Sequence, residues 1–286
     1  MPYLINLLTV NNFNRIKLEL CAYSIEACRI AAAKGLERVE LCASPADGGI
    51  TPSLAVIEQV AGIEGLGASV MIRPRGGDFL YNDKEVATML RDIELARRAG
   101  ASGVVFGILT ADGRVDIERT KMLVEAAQGM ETTFHRAIDM TEDYLRSVED
   151  VITTGCKRIL TSGSYDKAID GIDNIAHAVT VAAGRIEIMA GSGVTPANVK
   201  QLAEVGVDAL HFSAKRMVAG GMKYRNPRIS MGGSSAVDEY ALRAVNEAEI
   251  DEIVTIIKGK HATIAPNKLM GRYIKISKKL LRCRKI

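Results

Sequence analysis

The chain has 286 residues, 48% hydrophobic and 25% charged, an ordinary globular composition with apolar material for one large core or two modest ones. Aromatic residues make up only 5% and Trp is absent, which argues against a binder of single-stranded nucleic acid, since such proteins need stacking platforms. The net charge of +3 belongs to one end: residues 267–286 hold eight basic side chains and no acid, and setting those eight aside leaves the remainder at −5.

The N-terminal LINLLTV (4–10) is too short to span a bilayer and lacks a basic leader region and a small-residue cleavage site. Strand-like runs then alternate with longer helical patterns. IKLELCAY (16–23) precedes SIEACRIAAAKG, with Ser24 as expected N-cap and Gly35 as C-cap. RVELCAS (38–44) precedes a DGG turn and TPSLAVIEQVAG, where Thr51 is expected to cap and Pro52 to open the helix. SVMIRPRGG (69–77) precedes DKEVATMLRDIELARRAG, and SGVVFGILT (102–110) precedes DIERTKMLVEAAQG.

TTFHRAIDM (132–140) precedes TEDYLRSVEDVITTG, and KRILTSG (157–163) precedes a helix ending near AVTVAAG. RIEIMAGSG (185–193) precedes TPANVKQLAEVG, repeating the Thr-Pro signal at Thr195 and Pro196. DALHFSA (208–214) leads into a Gly/Ser-rich stretch (217–235), and a last helix is expected from about Asp238 to Lys258. Eight strand–helix units of this size imply a parallel sheet, and in about 250 residues they fit the (β/α)8 TIM-type barrel. An open doubly wound sheet would call for a glycine-rich dinucleotide turn after the first strand, where the sequence reads AYSIEA. The expected organisation is one barrel over 16–261, an N-terminal extension over 1–15 and a basic C-terminal tail over 262–286.

Barrel strands send alternate side chains to the helices and into the barrel. With Leu18, Leu20, Val39 and Leu41 facing the helices, Glu19, Cys21, Glu40 and Cys42 point inward, two Glu-Leu-Cys triplets in one phase. The same parity puts Met71, Arg73 and Arg75 inside from the third strand. It adds Thr133 and His135 from the fifth, Glu187 and Met189 from the seventh, and His211 and Ser213 from the eighth. Enclosed charges are costly unless paired, so the acids of strands one, two and seven are expected to meet the arginines of strand three. One reading is a purely structural ion-pair network. The other is a site, since these residues sit toward the C-terminal ends of their strands, where barrel active sites are built.

MIRPRGGDFLY (71–81), TFHRAID (133–139), RILTSG (158–163), ELCAS…GGITPS (40–53), VFGILTADGRVD (105–116) and MKYRN (222–226) together resemble the CutC family of copper homeostasis proteins, over about Ile16 to His261. The resemblance implies a TIM-type barrel, a cytoplasmic homo-oligomer and binding of Cu(I) by the cysteines that end the first two strands, here Cys21 and Cys42. Thiolates select Cu(I) over harder ions, and inward thiols on adjacent strands, about 4.8 Å apart, can share a metal. Arg73 is expected to favour the thiolate. The alternative is that both are small buried core thiols. Five cysteines, an odd number without CxxC spacing, argue against a disulfide scaffold and for a reducing compartment; Cys283 in the tail is set apart from any metal site.

Copper alone leaves Arg73, Arg75, His135, Arg136 and Asp139 without a task, so an enzyme acting on a small phosphorylated or anionic metabolite is the second functional class. Gly191, Ser192 and Gly193 after the seventh strand and Ser213 after the eighth stand where barrels bind phosphate. His135, Glu40 or Glu19 would supply acid–base chemistry. No strand-interior lysine suggests a Schiff-base aldolase. No nucleic acid and no membrane span are expected.

Overall fold

A computed structural model describes residues 12–229 and 238–259, so residues 1–11, the tail expected over 262–286 with Cys283, and part of the Gly/Ser-rich stretch lie outside the described residues. Asn12–Arg15 form one 3-10 turn leading into the first strand. The units then follow as β1 (Lys17–Ala22), α1 (Ile25–Ala33), β2 (Arg38–Leu41), α2 (Leu54–Ala61), β3 (Gly67–Met71), α3 (Asp83–Arg98), β4 (Gly103–Phe106) and α4 (Ile117–Ala127). They continue as β5 (Glu131–Phe134), α5 (Tyr144–Thr154), β6 (Arg158–Thr161), α6 (Ile172–Ala182), β7 (Glu187–Gly191), α7 (Val199–Glu204) and β8 (Ala209–Phe212). A hairpin of β9 (Lys215–Ala219) and β10 (Ala241–Val245) precedes α8 (Glu247–Lys258). Strands β1 to β8 are parallel in chain order, and β8 pairs back with β1 to close the barrel.

The elements form for local reasons. Ser24 caps α1 by accepting the Ala27 amide at 3.2 Å, and Asn82 with Glu85 builds a reciprocal capping box on α3. Gly155 ends α5 at φ +84, a left-handed conformation that suits a residue without Cβ. Leu18, Leu20, Val39, Leu41, Val70 and Ile159 face the helices and are at most 2% exposed. Each such side chain contributes roughly 1.5–3 kcal/mol relative to exposure. The helices cover the barrel because these outward residues carry that apolar surface.

Two boundaries differ from expectation. Thr51 does not cap α2: its amide donates to the Arg73 carbonyl and its Oγ1 accepts the Arg73 amide, both at 3.0 Å, so it is tied to the chain leaving β3. The helix starts later, at Leu54. The last helix begins at Glu247, because residues 241–245 pair with 215–219 as a hairpin beside the mouth.

The end of the barrel opposite the mouth is filled by ions. Glu187 accepts from Arg158 Nε, from Arg38 Nη2 at 3.0 Å and from Lys17 at 2.9 Å; Arg158 also donates to Thr133 Oγ1 at 2.8 Å. Burial alone would raise the Glu187 carboxyl, but its bond from Arg158 and the charges of Arg158 and Arg38 hold it at about 2, against an ordinary 4.5. A carboxyl depressed on folding stabilises the native state above its unfolded pKa, and that contribution disappears as the pH falls from 4.5 toward 2. The shift corresponds to about 3 kcal/mol. Urea midpoints measured from pH 5 down to pH 2.5 are therefore expected to fall steeply for the wild type and less steeply for Glu187→Gln; equal slopes would refute the assignment.

Candidate functional site

Register decides which inward side chains become neighbours. In the ladder between β1 and β2, Cys21 pairs with Glu40 and Glu19 with Arg38; between β1 and β8, Glu19 pairs with His211. Partners in a parallel ladder point the same way, so one thiol, two carboxyls and an imidazole converge inside the barrel. The ligating atoms of Cys21, Glu40 and His211 lie within 4.8 Å of one another. Cys42, one residue past β2, places its Sγ 3.5 Å from Glu40 Oε2. His211 Nδ1 lies 2.9 Å from Glu19 Oε1, and its Nε2 lies 3.6 Å from Glu40 Oε2.

Glu19 is fully buried. Burial would raise its carboxyl, yet the His211 hydrogen bond and the charges of Arg38, His211 and Arg158 hold it at about 2. An ionised Glu19 can only accept, so His211 Nδ1 carries the proton and Nε2 faces the thiol side. The Cys21 thiol is held well below its ordinary value, first by the hydrogen bond with Cys42 and, against burial, by His211. Cys42 moves the opposite way, because it is the partner that keeps its proton and because it is buried. Burial, with the Cys21 charge, pushes Glu40 up to about 8, although the charge of His211 pulls the other way. Cys28 and Cys156, in the outer core, are instead raised by burial, to about 12 and about 11. Cys21 is thus chemically unlike the core thiols.

Above this cluster opens a cavity of about 910 Å3, lined among others by Cys21, Glu40, Arg73, His135, His211 and Arg243. Arg73 is buried there but meets no carboxylate among the described residues: Nη1 donates to the carbonyls of Asp47 and Gly49 (2.9 Å) and Nη2 to that of Gly77 (2.7 Å). The expected pairing of the acids with strand-three arginines is therefore corrected. The partners of Glu19 and Glu187 are Arg38 and Arg158, which sequence reasoning missed, while Glu40 faces His211. Arg38 lies in phase with Glu40 and Cys42, and Arg158 in phase with Leu160, so the parity already applied would have found both. The group beside the Cys21 sulfur is His211, and not Arg73 as expected.

Arg75 leaves the interior altogether. β3 ends at Met71, so alternation no longer governs residue 75, which bonds Glu85 at 2.6 Å and the Leu80 carbonyl at 2.8 Å over the Tyr81 ring. Arg136 and Asp139 sit on a 3-10 turn after β5. Asp139 accepts from Thr161 Oγ1 at 2.6 Å, from the Ser162 amide and hydroxyl and from the Ser164 amide, while Arg136 bridges Asp139 and Ser162. Both side chains tie down the loop that follows β6. His135, just beyond β5, lines the cavity against the Phe79 ring, centroids 4.9 Å apart.

Ser192, Gly193 and Ser213 line the same cavity. Ser192 Oγ is already engaged with the Asp166 carbonyl at 2.6 Å, and the Thr195 amide with Asn198 Oδ1 at 2.9 Å. Gly191 is a spacer: a Cβ there would fall 2.5 Å from Leu160 Cδ1 and 3.1 Å from His211 Cβ. Among the described residues no helix is long and apolar enough to cross a membrane.

A family model described as the CutC family matches residues 16–216. A Bacteroides thetaiotaomicron protein named as a family protein CutC is 44% identical over 246 residues, covering 85% of this chain and 99% of its own length. A human protein named copper homeostasis protein cutC homolog is 39% identical over 246 residues, covering 86% and 90%. A solved structure described as the putative copper homeostasis protein CutC from Streptococcus agalactiae superposes with a TM-score of 0.65 at 38% identity, covering 69% of this chain and 98% of that one. An aldolase structure at 15% identity and TM-score 0.55 shares the fold alone.

Proposed function

The chain belongs to the CutC family, and from that premise we propose that it binds copper as Cu(I) between Cys21 and Cys42, with His211 beside them. One observation carries the reading: at the ends of β1 and β8 the Cys21 sulfur and the His211 imidazole lie within 4.8 Å of each other, with Cys42 beside Cys21 and Glu19 holding the far side of the ring. A carboxylate on the second nitrogen of a histidine is the arrangement that orients a metal-bound imidazole and raises its basicity. Two thiolates and one imidazole are a soft donor set that prefers Cu(I) to hard divalent ions. The human relative's name refers to copper homeostasis, which supports the same reading.

The chain's own residues would act as follows. Cys21 is the sulfur poised as thiolate, and Cys42 must release its proton before it can ligate. Glu40 Oε2 accepts from the Cys42 thiol at 3.5 Å, and with its carboxyl raised to about 8 it can take that proton only where the pH leaves it ionised. Met71 and Val105 pack around Cys42 and bury its sulfur, while Cys21 faces the cavity. A reducing compartment such as the cytosol leaves both thiols available.

Anaerobic Cu(I) titration against a chromogenic competitor tests the proposal. Wild type is expected to bind one equivalent; Cys21→Ala and Cys42→Ala are each expected to lose about 100-fold in affinity, the upper end of what even an outer partner of a metal ligand is worth. Wild-type affinity in the double variant would sink the reading.

A further inference from the structure

Six buried side-chain polar atoms among the described residues have no hydrogen-bond partner, and three of them belong to residues lining the mouth cavity: Glu40 Oε1, Arg73 Nε and His135 Nε2. Glu40 belongs to the thiol cluster. The other two are unexplained by copper.

His135 is 4% exposed and its Nδ1 accepts the Ala137 amide at 3.2 Å, so in the neutral ring the proton is on Nε2. Burial, helped by the charge of Arg73, pushes the imidazole down to about 3, which keeps it neutral. The ring is pinned as well as desolvated. A Cβ at Gly107 would fall 2.6 Å from its Cε1 and Nδ1, and the Phe79 ring packs against it at a 56° tilt. Arg73, whose Nη1 and Nη2 donate to three carbonyls, lies 5.0 Å from the same Phe79 ring. Two fixed N–H donors therefore flank one aromatic wall, and buried donors normally find an acceptor.

The rim supplies charge. Lys215 and Arg243, on β9 and β10, line the cavity and have no carboxylate partner among the described residues; Arg243 lies 4.6 Å above the Tyr23 ring. Five acids also line the cavity, Glu40, Asp47, Asp139, Asp166 and Glu249; Asp139 is taken up by its donors from Thr161, Ser162 and Ser164, and Asp47 by the Ser44 hydroxyl. Met71, Phe79, Leu160 and Phe212 add apolar walls suited to a carbon skeleton. A volume of about 910 Å3 is of ligand size and far larger than a lone tetrahedral anion needs.

We infer that the barrel-mouth cavity binds a small organic oxyanion, a carboxylate or phosphate ester, with one oxygen held by His135 Nε2–H and Arg73 Nε–H and the charge met by Lys215 and Arg243. This site is separate from the copper reading and stands without it, since none of its four residues is a proposed metal ligand.

Calorimetry and thermal shift on the full chain would use succinate, 3-phosphoglycerate and inorganic phosphate as probes, with glycerol as neutral control. At least one organic anion is expected to bind, more tightly than inorganic phosphate, and to raise the melting temperature. His135→Phe is expected to weaken it about tenfold or more and Arg243→Ala several-fold, while Cys21→Ala leaves it unchanged. Should His135→Phe fail to fold, imidazole nitrogen spectra of the wild type decide: the proton belongs on Nε2 and its resonance must move when the anion is added. No response to any of the three anions, an unmoved His135 resonance, or inorganic phosphate bound as tightly as the organic anions would overturn the inference. Loss of anion binding in Cys21→Ala would overturn the separation of the two sites, whatever the copper titration gives.

Discussion

Arg158→Ala is expected to destabilise the fold by about 3–5 kcal/mol, the cost of stranding a buried charge by deleting its partner. The side chain is 1% exposed and reaches both neighbouring strands, donating to Glu187 on β7 and, on β5, to Thr133 at 2.8 Å and to Glu131 at 3.4 Å. Removing it leaves Glu187 with Arg38 and the half-exposed Lys17, and opens a void where the guanidinium lay. Glu187 does not compensate by simply taking a proton at neutral pH, because Arg38 still favours its ionised form. Urea unfolding with an unchanged m-value measures the effect. The control is Arg185→Ala, which removes an ion pair with Glu149 whose two side chains are 47% and 48% exposed; exposed pairs contribute only about 0.2–1 kcal/mol. A loss below 1 kcal/mol at Arg158, or equal losses at the two sites, would show that the interior network is not holding the barrel. Replacing Arg158 and Glu187 together by Met and Leu should recover much of the loss, since apolar residues of similar volume commonly substitute for a complete buried pair.

Gly171→Ala is expected to cost about 3 kcal/mol through steric overlap alone, near the top of the usual range for overpacking. Gly171 has φ −98, which any residue adopts, so backbone strain does not enter. Its added Cβ would lie closer than 3.0 Å to the Ser162 carbonyl oxygen, and it would meet Gly163 on the same side. Both obstacles are backbone, so no side-chain rotation relieves them. The chain from Gly163 to Gly171 is the loop whose Ser164, Tyr165 and Asp166 line the mouth, and Asn174 bonds the Gly163 carbonyl at 2.9 Å to keep it closed. The same substitution at Gly62, also at an ordinary φ with its nearest neighbour 3.6 Å away, is expected to stay within about 0.5 kcal/mol. Thermal melts of the two variants side by side test the contrast; a similar small shift in both would mean that the loop is free to open at that point.

The barrel itself was legible in the chain. Eight alternating units, outward Leu and Val with inward Glu and Cys, and caps such as Ser24 are consequences of neighbours within about ten residues, and all are present in the structure. The match of the two Glu-Leu-Cys triplets also came through, because side-chain alternation is a property of a single strand. What failed did so where a strand stopped. The parity of β3 does not reach Arg75, four residues beyond Met71, and the last helix cannot begin near Asp238 because Ala241–Val245 belong to a hairpin. Thr51 has the residue type of a cap, yet the end of β3 competes for the same groups and wins.

The order of elements, the inward face of each strand and the meeting of thiol with carboxyl are written in the chain, since each depends on spacing within one strand or between adjacent ones. The choice of guanidinium for each carboxylate, the turning of His211 by Glu19 across 192 residues, and the two unpartnered donors at Arg73 and His135 come from closure of the barrel. Closure joins β8 to β1 and sets how far each strand is staggered against the next, and that stagger is a property of all eight strands at once.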